Sequence, residues 1–360
     1  MGEGLSQSQN PSPQPPPRSG EGGQSPSSSP LRFGEGPGEG LLWANVSTLL
    51  TTANIIGDFT LAPLPGGGNN RVYRVESAGG PLLLKAYFHH PDDPRDRLAT
   101  EFGFSQRVAH TGRVPRPLAS DPANHLGLYE FVAGRKLAAA EVSDNAVSQV
   151  IDFFRTIQNP AAFADFQDAS EACFSVSAHL ATVDRRIARL AGVAGEFADA
   201  IRFVRDELTP EWERVRAAIP TPDTPLSPSN RCVSPSDFGF HNALLEADGK
   251  LRFLDFEYAG WDDPAKTVCD FFHQPAVPVP RTYLNSWLDA VSELVPDAAA
   301  FRQRVAWLMP VYRVKWCCIM LNEFLPAGEN RRAFAKGGDA DARRREQLDK
   351  ARAALSAQDL

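Results

Sequence analysis

Cysteine is scarce: five in 360 residues, and Cys173, Cys232, Cys269, Cys317 and Cys318 never form a CxxC pair. An odd, scattered set excludes a disulfide framework and a zinc ribbon, and fits reduced thiols in a cytoplasmic protein. The seven histidines have no HExxH spacing, so no metallopeptidase centre is encoded. Long apolar runs are missing as well. The best candidate, Val305 to Leu325, is broken by Pro310, Arg313 and Lys315, which excludes a membrane span there. No basic segment followed by an apolar one opens the chain, so no secretory signal is expected. Positive charge is not in excess, because 37 Lys+Arg against 44 Asp+Glu leave −7. A sequence-blind grip on nucleic acid phosphates is thereby disfavoured, and small-molecule partners are expected. The hydrophobic share of 42% allows a sizeable core, and the length allows two structural units.

Residues 1–40 hold eight Pro and nine Gly among Ser, Gln and Glu, a composition that predicts a disordered tail. Met1-Gly2 with Ser6 matches a myristoylation pattern, but a tail so rich in Gly and Ser produces such matches by chance. From Asn54 to Phe131 strand signals dominate. Arg71–Glu76 and Leu82–Tyr87 flank Ser77-Ala78-Gly79-Gly80 and read as a hairpin, with a further strand near Ile55–Leu61. A helix opens at Asp92–Asp96 and runs to about Ala109, with Leu98, Phe102 and Ala109 on its apolar face. Strands at Arg116–Ser120 and His125–Phe131 complete a small lobe on an antiparallel sheet. Beyond Gly134 the pattern becomes helical, at about 141–158, 170–191, 195–218, 281–295, 297–325 and 339–356. One β-rich island, Cys232 to Glu257, interrupts it, with Ala247-Asp248-Gly249-Lys250 as a hairpin turn.

Three segments could carry chemistry. Gly66-Gly67-Gly68-Asn69-Asn70 lies between two strands, where bare backbone N–H groups can approach a polyphosphate; a ligand-free hairpin turn explains it equally well. Lys85 sits in the apolar strand Leu82–Tyr87, where an ammonium must reach water or a negative partner. Glu101, on the flank of the helix stripe, is a candidate for that partner. The most informative segment is Asp237-Phe238-Gly239-Phe240-His241-Asn242, followed by Leu254-Asp255-Phe256-Glu257. Asp237 and Asn242 are five apart, and the hairpin between Asn242 and Asp255 can fold the second carboxylate back. Phosphoryl transfer needs such a set: one carboxylate to orient a hydroxyl, then an amide and a second carboxylate to hold a metal on the phosphates.

With these motifs in this order, residues 45–325 resemble the aminoglycoside phosphotransferase family, relatives of choline kinase and, more distantly, of protein kinases. The resemblance implies an α+β, bilobal protein-kinase-like fold. Its small antiparallel-sheet lobe would span 41–132, and its larger, mainly helical catalytic and substrate-binding lobe 133–360. It also implies ATP and Mg2+ as cofactors and a small-molecule hydroxyl as phosphoryl acceptor. By motif, Gly66 to Asn70 become the nucleotide-positioning loop, Lys85 the phosphate-binding lysine and Glu101 its partner. Glu130, Phe131 and Val132 become the hinge that receives adenine, Asp237 the catalytic base, and Asn242 and Asp255 the magnesium ligands. One departure stands out: the family has His-Gly before the catalytic Asp, whereas Pro235-Ser236 precede Asp237 here, and His241 follows four positions later. A nucleotide sensor without turnover draws its support from that departure. A protein kinase is disfavoured, because Glu257 replaces the Gly of Asp-Phe-Gly and too few residues separate Asp255 from Pro264 for an activation segment. Asp263-Pro264 reads as a helix cap and Asp270 as a structural hydrogen-bonder, while His273, Trp287, Trp307 and Trp316 are assigned no role in chemistry.

Overall fold

The computed structural model describes residues 37–65, 70–90, 93–193, 197–220, 224–325 and 339–357. Five antiparallel strands, β1 (Phe59–Leu64), β2 (Arg71–Ser77), β3 (Gly80–Ala86), β4 (Pro117–Asp121) and β5 (Leu126–Glu130), form the first sheet in the order β1-β2-β3-β5-β4. Alternation decides its faces: Leu61, Val75, Leu82, Leu84 and Leu128 turn inward. They pack against helix α1 (Pro37–Thr52), which contributes Val46, Leu49 and Leu50 at i, i+3 and i+4.

Helix α1 corrects the expected tail, because it begins inside the stretch assigned to disorder; residues 1–36 lie outside the described residues. The strand expected at Ile55–Leu61 starts later, at Phe59. Asn54 (φ 58°) and Gly57 (φ 120°) occupy 54–58 with the end of the helix, and the Ile55 N–H returns to the Leu50 carbonyl at 2.8 Å. Helix α2 (Arg97–Val108) is capped by Asp96, whose side chain accepts the Ala99 N–H at 2.9 Å. Its buried stripe is Leu98, Glu101, Phe104, Ser105 and Val108, not Leu98, Phe102 and Ala109. Glu101 is therefore central to the packed face rather than on its flank.

The second part is mainly helical: α3 (Asp144–Thr156), α4 (Val176–Ala191), α5 (Ala198–Phe203), α6 (Thr209–Ala218), α7 (Pro264–His273), α8 (Leu284–Ser292), α9 (Ala298–Met320) and α10 (Ala340–Ser356). A π-helical segment, Val204–Leu208, joins α5 to α6. Helix α4 starts later than expected, because Ala169 and Ser170 donate to the carbonyls of Trp261 and Tyr258, and Ser175 supplies the cap. Two small sheets carry the β-rich island. The first has the order β6 (Arg135–Lys136), β8 (Ala243–Leu245), β9 (Leu251–Phe253); the second pairs β7 (Cys232–Ser234) with β10 (Gly260–Asp262). An aromatic core of Phe153, Phe238, Phe253, Phe271 and Trp287 lies beneath them. All five cysteines are buried and free, and no helix among the described residues is long and apolar enough to cross a membrane.

Candidate active site

Strand β3 pairs Lys85 with Val72 on one side and Gly127 on the other, so its side chain leaves the sheet on the face opposite Leu84. Its Nζ lies 2.6 Å from Glu101 Oε2 and 2.5 Å from Asp255 Oδ1. Tyr87, two residues along the strand, donates its hydroxyl to the same Glu101 oxygen at 2.8 Å and shares a 2.7 Å contact with the Tyr129 hydroxyl. Burial alone would lower the Lys85 pKa, but Asp255, Glu101 and Glu257 outweigh it and hold the ammonium well above its ordinary value. Burial also raises the Glu101 carboxyl; Lys85 offsets part of that rise and Asp255 adds to it. Three carboxylates crowd one ammonium.

Glu257 is the member that sequence reasoning missed. Its buried carboxylate accepts the Asn70 amide at 2.7 Å and lies 3.8 Å from Arg97 Nε. Asn70, expected in the nucleotide loop, donates its amide N–H to this acid and accepts the Phe88 N–H at 3.0 Å. Gly66, Gly67, Gly68 and Asn69 lie outside the described residues. The acidic oxygens of Glu101, Asp255 and Glu257 come within 4.8 Å of one another. Glu101 and Glu257 are committed to buried donors, so only Asp255, with 35% of its side chain exposed, opens to the cleft.

The second cluster lies in the loop 235–239 and the 3-10 turn Phe240–Asn242 that follows it. Phe238 and Phe240 are buried in the core, while Asp237 and His241 stay half-buried. A Cβ on Gly239 would meet His241 Nδ1 at 2.8 Å, so glycine permits the histidine to fold back over the loop. His241 Nε2 then lies 3.1 Å from Asp237 Oδ1, while the Asn242 amide donates to the Asp237 carbonyl at 2.9 Å and to its Oδ2 at 3.3 Å. Burial works against the Asp237 carboxylate, yet the His241 and Asn242 contacts keep its pKa below the usual value. No histidine precedes Asp237 directly, and the one that contacts it, His241, lies four positions after it. Ser236 takes the expected glycine position at φ 67°, a left-handed conformation that is unfavourable for serine.

The Leu254 N–H donates to the Asn242 carbonyl at 2.8 Å and joins the loop to the segment carrying Asp255, itself left-handed at φ 69°. Phe256 stacks on Phe104 of α2 at 4.6 Å, which ties Asp255 to the helix that bears Glu101. The donor set suits a hard divalent cation: a partly exposed Asp255 carboxylate, and an Asn242 side chain whose amide nitrogen is occupied while its Oδ1 is left to accept. Lys136 was not singled out from the sequence; its Nζ donates to the His241 carbonyl at 2.7 Å, and it feels both Asp255 and Lys85.

At the expected hinge, Glu130 directs its carboxylate to Arg252 at 2.9 Å, and the same guanidinium reaches the Val114 carbonyl at 2.8 Å. Among the described residues, Phe131 and Val132 make no backbone hydrogen bond to other backbone groups. Asp263 caps α7 through the Ala265 N–H at 2.8 Å, as expected, and also holds His179 and Arg304. Asp270 receives Lys315 and the Trp316 indole, and Trp287 is core. A cavity of ≈ 440 Å³ opens beside Asp237 and His241.

Residues 60–294 match the profile of the "Phosphotransferase enzyme family". The chain belongs to that family. No curated protein matches it. Solved structures with the same fold include a choline/ethanolamine kinase family protein from Mesorhizobium loti, 19% identical with a TM-score of 0.55 over 88% of this chain and 95% of that one. Choline kinase LicA from Streptococcus pneumoniae is 11% identical, with a TM-score of 0.56 over 88% and 99%. A spectinomycin phosphotransferase solved with ADP and spectinomycin is 11% identical, with a TM-score of 0.56 over 86% and 98%. The bilobal kinase-like architecture of this family accounts for the antiparallel first lobe and the helical second part described above.

Proposed function

We propose that this phosphotransferase family member moves the γ-phosphoryl group of ATP, taken with Mg2+, to a hydroxyl of a small molecule. The observation that carries the reading is the Lys85 ammonium held between Glu101 of α2 and Asp255, on a segment hydrogen-bonded to the Asp237–Asn242 loop. Lys85 would hold phosphate oxygens, and the hinge backbone of Glu130 to Val132 would meet adenine. Asp255 and the side-chain Oδ1 of Asn242 would hold magnesium, which would supply charge neutralisation on the phosphates when bound. The ADP-bound spectinomycin phosphotransferase supports nucleotide use within this fold.

Asp237 orients the acceptor hydroxyl. As the new bond forms between the γ-phosphorus and the acceptor oxygen, the bond from that phosphorus to the β–γ bridging oxygen breaks, ADP leaves, and the acceptor proton passes to Asp237. A carboxylate held below its usual pKa is a weak base, so the proton moves late and most of the acceleration comes from positioning and charge stabilisation. Calorimetry with Mg-ATP, followed by an assay of ADP production over a panel of hydroxyl compounds, tests the reading. Binding and acceptor-dependent ADP production are expected, with production lost in Asp237→Asn; binding without turnover over any acceptor would favour the nucleotide sensor instead.

A further inference from the structure

The last helix looks, in sequence, like a solvated amphipathic closure, yet part of its polar face also lines a cavity. Arg343, Glu346, Gln347 and Lys350 recur at i, i+3, i+4 and i+7 of α10 and line the ≈ 440 Å³ cavity that opens at Asp237. On the opposite side α10 buries Leu348 and Ala351 against the core. The cavity floor comes from α9 and its end: Trp316, Ile319 and Met320. Glu346 and Lys350 cancel each other through a 2.6 Å ion pair. Glu323, also in the wall, is buried and engaged in other contacts.

Arg343 differs from every neighbour. Arg97, Arg186, Arg252, Arg313 and Arg344 also leave a buried Nε without a hydrogen bond, but each places its terminal nitrogens on an acid, and the Arg74 Nε pairs with Glu76. The Arg343 guanidinium makes no ion pair and no side-chain hydrogen bond among the described residues, while it faces a cavity that ends at Asp237. A half-buried fork of donors without a counter-ion is an incomplete site for a carboxylate or phosphate.

We infer that the acceptor carries an anionic group, which Arg343 receives while its hydroxyl meets Asp237 and its apolar body lies along Trp316 and Met320. The inference rests on the phosphotransferase reading and deepens it. Arg343 would choose among acceptors of similar shape, because loss of one charge-assisted pair typically changes affinity by about ten- to a hundredfold.

The test measures kcat/KM by ADP production with hydroxy acids and sugar phosphates, neutral polyols and amino alcohols, on the full chain and on Arg343→Gln and Arg343→Lys, with binding of each acceptor followed by calorimetry. Anionic acceptors are expected to lead in the wild type. Arg343→Gln should lower their kcat/KM by about tenfold or more and collapse their lead over neutral polyols, and Arg343→Lys should restore part of it. A wild-type preference for amino alcohols, an unchanged anionic preference in Arg343→Gln, or Mg-ATP binding with no anionic acceptor bound or turned over would each overturn the assignment. Absence of Mg-ATP binding would instead overturn the phosphotransferase reading beneath it.

Discussion

Lys85→Met is the sharpest perturbation of the charge cluster, because it removes the only ammonium from among three carboxylates. Asp255 can turn to water, since 35% of its side chain is exposed, and Glu257 keeps Asn70 and Arg97. Glu101, with 9% of its side chain exposed, keeps only the Tyr87 hydroxyl. Breaking a buried pair in this way costs about 3–5 kcal/mol, and retained partners at two of the three acids point to the lower end. The loss also has a pH signature. The Lys85 pKa is raised, so its contribution is fully present below the ordinary lysine value and constant across the acidic and neutral range. Glu101 is raised too, which means that its ionised form already weakens the fold as pH climbs above the ordinary carboxylate range, and without Lys85 that loss extends to higher pH and deepens by about 1.4 kcal/mol per unit of further shift. Urea unfolding followed by tryptophan fluorescence should therefore give a deficit that is large near pH 8 and smaller near pH 5. A variant within about 1 kcal/mol of wild type near pH 8, or a deficit independent of pH, would refute the reasoning.

Asp255→Ala should abolish magnesium-dependent ATP binding in calorimetry; unchanged binding would remove Asp255 from the metal role. His241→Ala should move the acidic limb of kcat/KM upward in pH, because the contact that depresses the Asp237 pKa is lost, along with stability normally present above the carboxylate range. Ser236→Gly should raise stability by about 0.5–1 kcal/mol by releasing a left-handed serine, seen as a rise of about 1–3 °C in Tm. Asn70→Ala should cost about 1.5–3 kcal/mol in urea unfolding, because a buried carboxylate loses a donor.

What could be read from the chain alone was local. The spacing of Asp237 and Asn242, the hairpin leading to Asp255, the apolar strand around Lys85 and the Asp263-Pro264 cap all express their chemistry within a few residues. Partners supplied from afar were illegible: Asn70 and Glu257 are 187 positions apart, and Lys136 reaches His241 across 105. Pattern also misled where two periodicities compete. The stripe of α2 was drawn through Phe102, because an acid at 101 reads as surface until a lysine from another element neutralises it. Helix α1 was hidden because its Gly- and Glu-rich start resembles the preceding tail, although Val46, Leu49 and Leu50 give it a face that the sheet can bury.

Under the proposed function, a triphosphate would meet a Lys85 ammonium that already spends two of its three N–H groups on Glu101 and Asp255. A phosphate oxygen drawn to that ammonium would sit beside the Asp255 carboxylate, an anion of its own sign. A nucleotide bringing no cation would leave that repulsion uncompensated, so the proposed function carries with it a preference for the metal-loaded form.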